Sequence, residues 1–160
     1  EAAAYPNVLV GRTFSKAYGL AGMRVGYAIG HADVIAGFEK VRNHFGVTRL
    51  SQVAAVAALA DESWLAFVKH EVHKSRERIY RIARNNGLIP IPSATNFVTI
   101  DCGKNGGYAK SIVDGLLLHG IFIRMPGAEP LNRCIRISCG KEKDLELLSE
   151  ALPKVLQSLT

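Results

Sequence analysis

Apolar positions along this chain follow two periods, and the places where one gives way to the other mark out its elements. Short apolar runs at Asn7–Gly11 and Val25–Ile29 read as strands. Val34, Ile35, Phe38 and Val41 then recur at helical spacing until Asn43 to Gly46 break the pattern. Thr48 is placed to cap a second helix, Arg49–Ala60, which is rich in alanine and valine on nearly every side and therefore expects burial against other structure. After a break at Asp61 to Ser63, Leu65, Val68, Val72, Ile79, Ile82 and Ala83 trace one face of a long amphipathic helix. It ends at Asn85, Asn86 and Gly87, a C-terminal signal.

The remainder alternates. The prolines of Ile89 to Ser93 favour an extended segment, and Phe97–Asp101 reads as a strand. A helix carrying Tyr108, Ile112 and Leu116 follows Gly106 and Gly107 and closes at Gly120. Ile121–Arg124 and Cys134–Ser138 read as strands on either side of a loop with two prolines, and Leu145, Leu148, Leu152, Val155 and Leu159 mark a last helix. Strands separated by helices with short connections predict a two-layer α/β unit. A domain boundary is expected near Glu62, dividing the chain into residues 1–61 and 62–160.

Bulk numbers narrow this picture. With 160 residues, 48% of them hydrophobic, the chain can bury a substantial core. No run reaches the roughly 18 apolar residues of a membrane helix. The chain opens on Glu1 without an initiator methionine or a signal peptide, and so reads as a fragment or processed piece. Three cysteines, Cys102, Cys134 and Cys139, match no zinc spacing; they read as small core residues of a reducing, cytoplasmic compartment. The formal charge of +6 permits nucleic-acid binding, but many of the basic residues lie between Lys69 and Arg84, mixed with Glu71 and Glu77. That is the pattern of a solvated helix face, so neither nucleic acid nor membrane is expected as a partner. His70 and His73 share that face without a third ligand nearby, so no metal site is expected.

Chemistry concentrates between the first two strands. Lys16 stands among small and apolar neighbours, with hydroxyls at Thr13 and Ser15 before it and a guanidinium at Arg24, eight positions later. This places the lysine at the end of a buried strand with little water and no carboxylate at hand. A desolvated lysine near another cation becomes a nucleophile toward carbonyls. Hydroxyls and a guanidinium are the groups that hold a phosphate. Together they suggest a phosphorylated aldehyde as ligand. A second candidate is Arg136, in mid-strand, with Ile135 and Ile137 on the opposite face and Cys134 and Ser138 on its own. A guanidinium in a partly dry setting fits a planar carboxylate.

The stretch Thr13-Phe14-Ser15-Lys16-Ala17-Tyr18-Gly19-Leu20-Ala21-Gly22, with Arg24 beyond it, resembles the lysine motif of fold-type I pyridoxal-phosphate aminotransferases, in the histidinol-phosphate aminotransferase-like group. Cys134 to Gly140 resembles the family's carboxylate-binding strand. Gly120 to Arg124 resembles the strand before it, and Ser93 to Phe97 the entry to the small domain. The likeness covers nearly the whole chain, as about the C-terminal half of such an enzyme.

The resemblance implies an α/β fold made of the C-terminal portion of the large cofactor-binding domain plus the small two-layer domain. It implies pyridoxal 5′-phosphate as cofactor, covalently linked through Lys16 and held at its phosphate by Thr13, Ser15 and Arg24. Arg136 is implied as carboxylate ligand, with Arg124 and Asn96 as further substrate-binding residues. It further implies a homodimer that passes an amino group from an amino acid or amino-alcohol phosphate to a 2-oxo acid. His44-Phe45-Gly46-Val47 stands where histidinol-phosphate enzymes carry Pro-Tyr-Asn-Val, which leaves the amine donor open. A decarboxylase of amino-acid phosphates and an aminotransferase-like sensor domain of a transcription regulator are the alternatives on the same scaffold.

Overall fold

The structure, a computed structural model, describes residues 4–159. The chain divides into two compact units, one reaching to Lys69 and the other beginning at His70.

In the first unit, β1 (Leu9–Thr13) pairs antiparallel with β2 (Gly26–Gly30), with Arg12 opposite Tyr27 and Thr13 opposite Gly26. The glycine at that last pair is required, because a Cβ on Gly26 would lie 2.6 Å from the Arg12 carbonyl oxygen. Helix α1 (Ala32–Val41) follows β2 directly. Helix α2 (Arg49–Ala60) starts where the sequence signal placed it, with the Thr48 hydroxyl accepting from the Ser51 amide at 3.1 Å.

Two expectations fail in this unit. Strand β1 is not buried: four of its five residues are exposed and the fifth is half-buried. A ribbon of two strands has one neighbour per strand and too little apolar surface to close a core, and only Phe14, Ser51 and Ala55 of the unit's described residues are buried. Helix α2 likewise keeps Leu50, Val53 and Val56 exposed.

Helix α3 (Glu62–Asn85) begins at Glu62 and runs through the division between the units. It closes as its sequence signal requires, with Gly87 in the left-handed region at φ 72°.

The second unit holds an antiparallel sheet, β3 (Ile89–Pro90), β4 (Phe97–Asp101) and β5 (Cys134–Ser138), in that order. Helices α4 (Gly106–Leu118) and α5 (Glu142–Ser158) complete it. Alternation turns Val98, Ile100, Ile135 and Ile137 into one core with Ile79, Ile112, Leu116, Leu148 and Leu152 of the helices. Phe97, Thr99 and Arg136 remain half-buried on the other face. This is the two-layer unit that the alternating pattern predicted.

The strand expected at Ile121–Arg124 is reduced to a single bridge, Arg124 to Arg136, with backbone bonds of 3.1 and 2.7 Å. The Ile121 amide is already committed to the Leu116 carbonyl at the end of α4 (2.9 Å), and Pro126 and Pro130 remove donors on the far side. A ladder has no room to grow in either direction.

Cys102 and Cys134 are buried and Cys139 half-buried, all three as free thiols. Burial pushes the Cys102 thiol up to about 11 and raises the other two, which fits core packing rather than nucleophilic chemistry. No helix among the described residues is long and apolar enough to cross a membrane.

Candidate functional site

The lysine loop joins β1 to β2 and is built around Phe14. Its side chain is 2% exposed. It packs against Tyr18 and Tyr27 with ring centroids 4.9 and 5.5 Å apart. Its backbone closes the loop from inside, donating to the Val25 carbonyl (3.3 Å) and accepting from the Leu20 amide (3.0 Å). The hydroxyl residues Thr13 and Ser15 flank this anchor on either side, and the Ser15 amide donates to Thr13 Oγ1 at 3.1 Å. That bond leaves the Thr13 hydroxyl proton free to donate elsewhere.

Lys16 opens a turn closed by the Gly19 amide on its carbonyl (2.9 Å), with Gly19 at φ 71°. Arg24 follows a 3-10 turn at Ala21–Met23 and is the one non-glycine residue with positive φ, 50°, among the described residues. One guanidinium nitrogen, Nη1, donates to the Ala21 carbonyl at 2.9 Å. Since Thr13 pairs with Gly26, Arg24 enters the loop two residues before the partner of Thr13, so both ends of the loop carry the expected anion donors. A left-handed arginine costs on the order of 1 kcal/mol. The loop holds it there by the Arg24–Ala21 bond and by Ser51 of α2, whose buried Oγ donates to the Met23 carbonyl at 2.7 Å.

Lys16 itself is exposed, and its ammonium has no hydrogen bond or ion pair among the described residues. That exposure departs from the sequence reading, which expected little water around the lysine. Desolvation needs atoms over both sides of the lysine, and an exposed two-stranded ribbon does not supply them.

The second candidate group lies in the other unit. Arg136 is half-buried, with Thr99 directly opposite on β4 and Arg124 bridged on its other flank. Arg124 is exposed. Asn96 is exposed too, and its backbone carbonyl accepts from the Cys139 amide at 2.9 Å. The structure therefore groups the seven expected residues as two sets, Thr13, Ser15, Lys16 and Arg24 on one loop, and Asn96, Arg124 and Arg136 around β5. His70 and His73 are exposed on α3.

The sequence reading missed three supporting residues. Phe14 and Ser51 hold the lysine loop, and Phe97 lies under Arg136. The signal for Phe14 was available, since a phenylalanine between two hydroxyl residues alternates to the opposite face. Phe14→Ala is expected to cost about 3 kcal/mol, as for other buried phenylalanines, and to expose the loop to limited proteolysis. Phe14→Leu should retain most of that stability. Proteolysis rates of the two variants and their urea midpoints check this, and an unchanged Phe14→Ala midpoint would remove Phe14 as anchor.

The family profile "Aminotransferase class I and II" matches residues 1–152. The chain belongs to the class I and II aminotransferase family. This aminotransferase chain is 38% identical over 156 residues to histidinol-phosphate aminotransferase of Geobacillus sp. (strain WCH70), covering 96% of this chain and 41% of the relative. It is 56% identical, with a TM-score of 0.91, to the crystal structure of histidinol-phosphate aminotransferase from Sinorhizobium meliloti in complex with pyridoxal-5′-phosphate. That match covers 97% of this chain and 42% of the other. L-threonine-O-3-phosphate decarboxylase from Porphyromonas gingivalis shares the fold at a TM-score of 0.79 and 20% identity, over 98% of this chain and 49% of the other. The chain thus spans about two fifths of the length of the aminotransferases it matches.

Proposed function

We propose that the protein carrying this aminotransferase chain uses pyridoxal 5′-phosphate to pass an amino group to a 2-oxo acid, from an amino acid or an amino-alcohol phosphate of the histidinol-phosphate kind. The observation that carries this reading is the lysine loop: an unpaired Lys16 between two hydroxyl residues, followed by an arginine held in the left-handed region. Its donor set fits the cofactor. Thr13, Ser15 and Arg24 offer hydroxyl and guanidinium protons, and no carboxylate of the described residues pairs with any of them or with Lys16.

Pyridoxal phosphate, when bound, supplies an aldehyde that condenses with amines and a ring that accepts the electron pair of a bond broken at the substrate's α-carbon. Thr13, Ser15 and Arg24 bind the phosphate by charge-assisted hydrogen bonds. Lys16 Nζ would be the amine that holds the aldehyde, and it is placed to serve as the general base for the substrate's α-proton. Arg136 would bind the substrate carboxylate with its two-pronged donor geometry and so fix the orientation of that group. Arg124 and Asn96 are assigned to the remainder of the substrate.

We assign residues 1–61 to the large cofactor-binding domain and residues 62–160 to the small domain. The start of α3 at Glu62 supports that boundary, while the division between the compact units falls further along the same helix, after Lys69. The exposed apolar side chains of α2 support assembly as a homodimer, and three free thiols suit the cytoplasm.

The test is an assay of the cofactor-loaded protein with histidinol phosphate and 2-oxoglutarate. Glutamate formation is expected. Release of CO₂ from an amino-acid phosphate, with no glutamate formed, would replace this reading by the decarboxylase one.

A further inference from the structure

We propose that Phe97 is a positioning residue for Arg136, holding its guanidinium over the ring face so that its N–H donors remain available to a carboxylate. The inference rests on the reading of Arg136 as carboxylate ligand. The guanidinium carbon lies 4.8 Å from the centroid of the Phe97 ring, well within the range of a cation–π contact. Among the described residues this is the only interaction of the Arg136 side chain, which has no hydrogen bond and no ion pair. A ring face attracts the cation without using any of its five N–H donors, whereas a carboxylate neighbour would use two of them and cancel the charge. The arrangement therefore holds the group against the ring and leaves its binding capacity intact.

The surroundings require such a restraint. Arg124 is bridged to Arg136 on the opposite flank, and like charges on adjacent strands repel. Thr99, directly opposite on β4, is too short to hold a guanidinium by packing.

The ring is in turn held from its own backbone. The Phe97 carbonyl accepts from the Ser93 hydroxyl at 2.7 Å and from the Thr95 hydroxyl at 3.2 Å. Ser93 is fixed by the hydroxyl of Tyr80, which accepts from its amide at 2.7 Å, and Arg76 donates to the Thr95 carbonyl at 2.9 Å. A short hydroxyl-rich turn thus transmits the rigidity of α3 to the aromatic ring. Phe97 is the residue where the turn becomes β4.

The experiment compares Phe97→Leu, Phe97→Tyr and Arg136→Ala in the cofactor-loaded protein. The readouts are KM and kcat for 2-oxoglutarate and Ki for glutarate, a carboxylate that cannot react. Phe97→Leu keeps the apolar bulk and removes the π face. It is expected to raise KM and Ki by about fivefold, the size of a partly exposed cation–π contact, and to change kcat much less. Phe97→Tyr is expected to restore both values. If Phe97→Leu does not fold, Phe97→Met carries the same comparison. Unchanged KM and Ki in Phe97→Leu, alongside a large rise in Arg136→Ala, would overturn the positioning role alone. A Phe97→Tyr variant as impaired as Phe97→Leu would also overturn it, because ring packing and not the π face would then matter. An Arg136→Ala variant with unchanged values would remove the carboxylate assignment, and this proposal with it.

Discussion

Lys16→Ala is expected to lower kcat/KM for amino transfer by at least about 10²–10⁴-fold, the contribution of a positioned general base alone. The loss should be larger still, because the same amine is also proposed to join the cofactor to the protein and so to serve as nucleophile. The effect belongs to this lysine for a geometric reason. Lys16 opens a turn whose two ends are tied together by Phe14 and by the Thr13–Gly26 pair, and the same loop carries the hydroxyls and the guanidinium proposed to hold the phosphate. None of the other lysines stands in such a loop. Lys16→Arg should not rescue turnover, since a guanidinium keeps its proton and cannot attack an aldehyde. Peptide mapping after borohydride reduction of the loaded protein gives an independent check. A pyridoxyl group on any other lysine, or a Lys16→Ala protein with undiminished turnover, would refute the assignment.

The second large effect is expected at Arg136. Its replacement by alanine should weaken binding of carboxylate substrates by about 2–5 kcal/mol, the usual result of removing one partner of a charge-assisted pair. Binding of the cofactor should change little, because Thr13, Ser15 and Arg24 belong to a different loop in the other unit. Arg136→Lys should recover only part of the loss, since an ammonium cannot present two parallel donors as the guanidinium over the Phe97 ring can. The measurement is KM for 2-oxoglutarate beside the cofactor dissociation constant. A protein whose two values moved together would place Arg136 in the general stability of the unit. One in which neither moved would make it a solvated surface arginine.

Much of this molecule is written in short-range signals. Thr48 caps α2 because its side chain can reach the Ser51 amide, and Gly87 ends α3 because it alone in that stretch takes positive φ without strain. Phe97–Asp101 and Cys134–Ser138 match β4 and β5 residue for residue, since alternation over five residues with turns on both sides admits one register. The placement of the lysine loop was legible for a different reason: its hydroxyls, lysine and arginine all fall between two apolar runs that pair as neighbouring strands. The Arg136 face was legible because side chains alternate on a strand.

Other properties depended on what meets in space. Ile121–Arg124 has the composition of a strand, but its amide at Ile121 is taken by the end of α4 and prolines follow, so only one bridge forms. Pro153 lies inside α5, where local propensity would end a helix; Leu152 and Val155 on either side are buried in the core, and that packing carries the helix through. The seating of Arg136 over Phe97 joins residues thirty-nine positions apart, at neighbouring places on paired strands. The sequence by itself determined the elements, their caps and the order of reactive groups on one loop, because these follow from interactions within a few residues. The exposure of Lys16, the burial of Phe14 and the contact of Arg136 with Phe97 were decided only by tertiary structure, because the surroundings of a side chain are set by atoms distant in the chain.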